Sequence, residues 1–345
     1  MNNTASCLIN QPPALSYSWL KTGGVLVEKP AFMEEIKPRE ERPLKIAFTR
    51  QTAPSFSGED PWESFFSEGI FPINCYHLPE KEEASEALRL GFDWEDKQAA
   101  RYEFSLDAAS RLTAVMDFSM AKQGDGALMT RIKLKKDARL NLVQISRGEG
   151  DYTLFNSIAV EAEEGASCQL IRLVLGGLKS FDRVQVSLKG EKSLFDCGTA
   201  YRLEDARELD MNYEILHFGR HTESDIRAAG VLADRSYKIF RGTIDLKKGC
   251  SGSQGSEIEE VLMMDDTVRN KTLPVILCGE ENVSGNHGAT IGRLDENLLY
   301  YMESRGLDRE RIYELAAAAK IHHAIRRIPD EKTKRELFPE IMEEA

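Results

Sequence analysis

Between about residues 101 and 292 the chain repeats one unit, a strand-like segment closed by a short turn, and this stretch holds one proline, Pro274. Alternating segments run over 112–118, 139–145, 157–161, 183–188 and 237–244. Alternation with period two is the mark of a strand with one buried face. Turns of small or charged residues centre near Ala138, Gly165, Gly190, Asp205, Asp234 and Gly249, separated by 27, 25, 15, 29 and 15 residues. These separations fall near one or two multiples of about 14, and no helical segment intervenes, so the pattern predicts a solenoid of strands. An immunoglobulin-like sandwich needs about seven strands at spacings of about 8–12 residues. The region holds too many strands for one such domain.

The flanks read differently. Residues 1–100 carry nine of the 12 prolines, and charge clusters such as Glu40-Glu41-Arg42 interrupt short apolar pieces. We expect an irregular N-terminal region with helical pieces, including a short helix over 80–90 on Ala84, Ala87 and Leu88. After residue 293 the spacing turns helical. Gly306 reads as the glycine that ends a first helix, and Asp308 as the N-cap of a second with Ile312, Leu315, Ala316, Ala319 and Ile321 on its apolar side. A third helix is expected over 330–343. The chain thus divides into 1–100, 101–292 and a helical subdomain, 293–345.

Composition narrows the function. Asp plus Glu outnumber Lys plus Arg by 57 to 45, and the net charge of −12 opposes non-specific binding to nucleic acid or to an anionic membrane. No apolar run approaches the roughly 18 residues of a membrane span. Residues 1–15 carry no Lys or Arg, unlike a secretory signal, so the cytoplasm is the expected location. Six scattered cysteines without a CxxC pair make neither a disulfide framework nor a zinc ribbon. There is no GxxxxGK[ST] loop, and so no expectation that this chain binds nucleotide, and no GxSxG or HExxH motif.

Several stretches carry a resemblance. Leu273-Pro274, then Asn286-His287-Gly288-Ala289-Thr290-Ile291-Gly292, then Leu299-Tyr300-Tyr301-Met302-Glu303-Ser304-Arg305-Gly306-Leu307 resemble the SufB/SufD family of iron–sulfur cluster assembly proteins. So do 217–225 and Phe240-Arg241-Gly242, and more weakly Ser18-Trp19-Leu20-Lys21. The resemblance covers roughly residues 100–345. It implies a mainly β fold, a right-handed parallel β-helix flanked by helical terminal regions. It also implies a complex in which two β-helix subunits pair and each recruits a SufC ATPase through its C-terminal helices. The SufB type tends to read His-Glu-Ala-Thr where this chain reads His287-Gly288-Ala289-Thr290, and carries a cysteine near the position of Ile258. Both departures favour the SufD type.

Candidate ligands for iron, or for a transient iron–sulfur cluster at the subunit interface, are His287, Cys278, Cys250 and Glu259. Imidazole, thiolate and carboxylate all suit iron. Each has a plainer reading. His287 could simply hydrogen-bond in a turn. Cys278 and Cys250 could be inert packed thiols, as Cys168 and Cys197 are expected to be. Glu257, Glu259 and Glu260 could form a solvated strand face. His217 and His221, four apart, are expected on one strand face in structural hydrogen bonds, and His322 and His323 on a helix, exposed or at the ATPase contact. The expected function is a non-catalytic assembly subunit, pairing through about 272–291 with a SufB-like chain or a second copy. The alternative is a β-helix lyase or hydrolase of polysaccharide, which would need paired carboxylates in an open groove.

Overall fold

A computed structural model describes residues 6–13, 22–28, 30–51, 61–66, 71–120 and 122–343. The motif residues Ser18–Lys21 lie outside that set. The chain winds into a parallel β-solenoid of eight coils with two strands in each. One sheet runs from Ile73–Leu78 through Gln98–Leu106, Gly124–Leu134, Tyr152–Ala162, Lys179–Leu188, Glu208–His217 and Tyr237–Leu246 to Arg269–Cys278. The other runs from Leu88–Asp93 through Arg111–Ser119, Arg139–Gly148, Ser167–Gly176, Leu194–Leu203, Glu223–Leu232 and Gln254–Met263 to Ser284–Gly292. The expected half-coil period is thus present. The expected helix over 80–90 is not: this stretch is a coil corner leading into the Leu88–Asp93 strand, because Leu88, Leu90 and Phe92 alternate inward onto the core.

A ladder of left-handed residues turns the chain at one corner of each of the first seven coils. Lys81, Ala109, Asp137, Gly165, Lys192, His221 and Gly252 all have φ between 54° and 82°. Each donates its N–H to a carbonyl of the following coil, as Ala109 does to Lys136 at 2.8 Å and His221 to Ser251 at 3.1 Å. Five of these seven are not glycine. A non-glycine residue in this region is disfavoured, and the coil-to-coil hydrogen bond offsets the cost.

Strict register stacks interior side chains into columns. One column runs Leu142, Leu170, Cys197, Ile226, Glu257, His287. A second, Gln144, Arg172, Thr199, Ala228, Glu259, faces a third on the other sheet, Asn156, Asp182, Met211, Phe240, Thr272. These two facing columns are hydrogen-bonded at three levels. Asn156 Nδ2 donates to Gln144 Oε1 at 2.9 Å, Arg172 Nε to Asp182 Oδ2 at 2.8 Å, and Thr272 Oγ1 to Glu259 Oε2 at 2.5 Å. Arg172 and Asp182 are each 1% exposed, and Ser146 and Ser180 complete their hydrogen bonding.

Both outer sheet faces are covered. A hairpin of Ser6–Ile9 and Val25–Glu28 lies on the first sheet. It is held by Asn10, which donates to Asp210 at 2.6 Å, and by Arg241, which donates to Asp210 and to the Thr22 and Gly23 carbonyls. The C-terminal helices α1 (Glu296–Glu303), α2 (Arg309–Arg326) and α3 (Glu331–Glu343) lie on the second. Asp308 caps α2 as expected, and Gly306, at φ 91°, closes α1 with its N–H on the Glu303 carbonyl. Ile321, Ala324 and Ile325 of α2 and Leu337 of α3 form one apolar cluster with outward-facing Val115, Val143, Ile171 and Leu173.

Breaking the Arg172–Asp182 pair leaves an uncompensated buried charge. Asp182→Ala should lower unfolding free energy by about 3–5 kcal/mol in denaturant titration. The double variant Arg172→Met/Asp182→Leu should restore most of it.

Candidate functional site at the open end of the solenoid

The two ends of the solenoid differ. At the N-terminal end Ala47–Gln51 and Arg39–Glu41 pair antiparallel to the first strand of each sheet. At the other end Arg269–Cys278 and Ser284–Gly292 each have one unpaired edge among the described residues. Ser284–Gly292 carries no charged residue and is exposed from Ser284 through Ile291. Pro274 lies on this last coil of the first sheet, where a strand can lack an N–H without breaking a ladder.

His287 is exposed in the middle of that edge strand, in register with Glu257 and therefore on the interior side of the last coil. Cys278, exposed, ends the neighbouring edge strand, its thiol 3.2 Å from the Glu280 carbonyl. Cys250 is 0% exposed in a small apolar cluster with Ile244 and Leu246, and burial raises its thiol pKa. Cys168 and Cys197 are packed in the core, and burial pushes the Cys197 thiol up to about 12. Neither is a nucleophile at neutral pH.

The three glutamates do not form a solvated face. Strand alternation divides them: Glu257 and Glu259 point inward, at 2% and 0% exposure, while Glu260 points outward and pairs with Lys320 at 2.9 Å. Glu259 accepts from Lys238, from Tyr201 Oη at 3.1 Å and from Thr272. Lys238 is itself 0% exposed, so this is a fully desolvated ion pair whose oxygens are already occupied. Among the described residues no hydrogen bond reaches the Glu257 carboxyl. It lies against Gly242, where an added Cβ would come within 2.0 Å of Oε2, so glycine is needed there for room. Burial, then the Glu259 charge, raise Glu257 to about 8, against a lowering by Lys238.

The two histidines expected on one strand face are separated by a corner. His217 ends its strand and is fully buried, with Nδ1 2.7 Å from Thr222 Oγ1 and Nε2 2.9 Å from Ser224 Oγ. His221 is the exposed left-handed corner residue, its ring over Gly252. Burial lowers His217 to about 4, so it is a neutral structural group. His322 and His323 lie on α2, half-buried and exposed respectively.

Lys238 was not singled out in the sequence, and Glu257 was not told apart from Glu259 and Glu260, yet a signal exists. Lys238, Phe240, Gly242 and Ile244 share one parity, as do Glu257, Glu259 and Val261. A charge on the parity of buried Phe240 requires a countercharge inside.

A family model described as SUF system FeS cluster assembly, SufBD core domain, matches residues 93–319. The chain belongs to the SufB/SufD family. Among curated relatives, the iron–sulfur cluster assembly protein SufD of Bacillus subtilis is 28% identical over 170 residues, 48% of this chain and 39% of the relative. SufD of Escherichia coli is 22% identical over 259 residues, 73% of this chain and 60% of the relative. The SufBD family protein ML0593 of Mycobacterium leprae is 22% identical over 301 residues, 83% of this chain and 35% of the relative. The matches therefore span less than two thirds of each relative's length. The two relatives named SufD agree with the SufD-type reading of His287-Gly288-Ala289-Thr290. No helix among the described residues is long and apolar enough to cross a membrane.

Two opposed pH effects follow. Glu257 holds its proton more tightly in the fold than the ordinary 4.5, so its contribution is full below pH 4.5 and is lost as pH rises to about 8. Glu257→Gln should remove that slope and be the more stable protein at pH 9 in denaturant titration. His217 has the reverse sign: its contribution is full above pH 6.5 and is lost as pH falls towards about 4. His217→Gln should flatten the acid limb of the same titration.

Proposed function

We propose that this chain is a SufD-like, non-catalytic subunit of a SufBCD-type complex that assembles iron–sulfur clusters. The observation that carries the reading is the last coil. Its nine-residue edge strand is uncharged and exposed, and holds His287 on the interior side. Such an edge invites strand addition by another chain. The partner is a SufB-like subunit or a second copy of this chain, joined through 269–292.

In this reading iron or a nascent cluster is cargo at the junction. His287 and the exposed Cys278 are the groups able to reach it, a borderline imidazole and a soft thiolate suited to iron. Cys250 and Glu259 stand behind them, and Glu259 would have to exchange Lys238 and Tyr201 before it could ligate. The polysaccharide alternative finds no support in the carboxylates. Glu257 and Glu259 are closed inside the solenoid and not set in an open groove.

Recruitment of a SufC-like ATPase falls to α1. Leu298, Tyr300 and Tyr301 are 45%, 75% and 55% exposed, an apolar and aromatic surface next to Arg305, whose guanidinium stacks over Tyr301 at 5.2 Å. Removing the helices outright is a poor test, because α2 and α3 cover Val143, Ile171 and Leu173.

His287→Ala should leave the melting temperature and ATPase recruitment unchanged, since the side chain is exposed. It should lower iron and sulfide per complex several-fold in anaerobic analysis. Equal metal content in both proteins would remove His287 from the role. Tyr300→Glu with Leu298→Glu should abolish co-purification of the ATPase while circular dichroism and subunit pairing stay as in the wild type.

A further inference from the structure

The open end gains its meaning from the closed one. At the N-terminal end Ile36 and Ile46, 4% and 3% exposed, plug the interior of the first coil, and Phe48 packs on Tyr76 with ring centroids 5.2 Å apart. The outermost strands there are short and charged. Arg39–Glu41 is three residues long, all charged and exposed, and Ala47–Gln51 carries Arg50. Arg39 pairs with Asp93, Arg50 with Glu35, and Glu41 with Lys332 of α3. Each of them runs against the direction of every other strand in its own sheet. A last coil approaching from another molecule would meet neither an unplugged interior nor a parallel template.

We infer that residues 32–51 are a built-in terminator that bars solenoid addition at the N-terminal end and so limits assembly to two β-helix chains, joined last coil to last coil. This rests on the reading that the last coil is the pairing surface, and adds to it which end cannot pair. The reason is one of symmetry. Last coil to last coil is a self-complementary contact that closes at two, whereas last coil to first coil is heterologous and grows without limit into fibres. Short length, charge and reversed direction are the devices by which sheet proteins guard an edge. The uncharged 284–292 strand lacks all of them.

The test is sedimentation velocity of the full-length chain over a hundredfold range of concentration, alone and with a SufB-like chain. The wild type should never exceed two β-helix chains. In Arg39→Thr/Glu40→Val/Glu41→Thr/Arg50→Thr the charge of the guard, the device on which the barrier chiefly depends, is removed while the plug of Ile36 and Ile46 and the reversed strand direction stay. This variant should form species larger than two that grow with concentration. The milder Arg39→Thr/Arg50→Thr, which keeps the Glu41–Lys332 pair and the Glu40–Tyr76 hydrogen bond, should do so to a smaller extent and guards against a folding defect in the first. Adding Thr290→Pro to either should return it to single chains, since head-to-tail growth needs the last coil too. Species larger than two in the wild type overturn the inference. So does either charge variant, folded by circular dichroism, that sediments as the wild type does. Failure of the pairing reading itself shows separately, as wild-type association that Thr290→Pro leaves unchanged.

Discussion

Everything in this molecule depends on in-register hydrogen bonding between parallel coils. Because each strand pairs with the equivalent strand one coil away, every interior residue stands directly above a residue of the same parity, and a polar side chain placed inside has few possible partners. The chain meets this constraint by setting polar residues opposite one another in two facing columns: Gln144 with Asn156, Arg172 with Asp182, and Glu259 with Thr272. Such pairs add little net stability compared with apolar packing, but a one-coil slip would strand a buried charge. They act as register marks in a repeat whose backbone alone would accept many registers. Glu257 is the exception. It sits one step short of the end of its column with no hydrogen-bond partner among the described residues, and it is the buried acid nearest in register to His287.

Much of the fold was legible in the sequence because the constraint is periodic. The turns near Gly165, Asp205 and Asp234 are all coil corners. Strands were missed where both faces are covered. Gly124–Leu134 is buried at nearly every position, under the N-terminal segment outside and the core within, so it shows no alternation. The 80–90 helix failed for a related reason. Ala84, Ala87 and Leu88 suit a helix in isolation, but Leu88, Leu90 and Phe92 are worth more as the inward side of a strand closing the first coil.

The candidate site was half legible. The motif around His287 marks the edge strand, and its lack of charge can be read directly. What cannot be read is depth. Glu257, Glu259 and Glu260 look alike in sequence, and only parity against neighbouring coils sends two inward and one out to Lys320. The left-handed corner at His221 likewise breaks the four-residue spacing that suggested one face for His217 and His221.

Helix α2 carries a mechanical consequence. Its 18 residues extend about 27 Å at 1.5 Å per residue, while adjacent strands lie about 4.8 Å apart, so its length is that of about five coils. Its apolar residues cluster with the outward residues Ile171, Ala200, Val231 and Leu262, which belong to four successive strands of one sheet, and Arg202 and Glu260 tie it down by ion pairs. A stack of coils left to itself frays one repeat at a time. With α2 laid across it, four coils bend or open as a unit. A torque applied at α1, one tight turn away at Gly306, is therefore carried by a lever arm into the middle of the solenoid and not lost in the last coil.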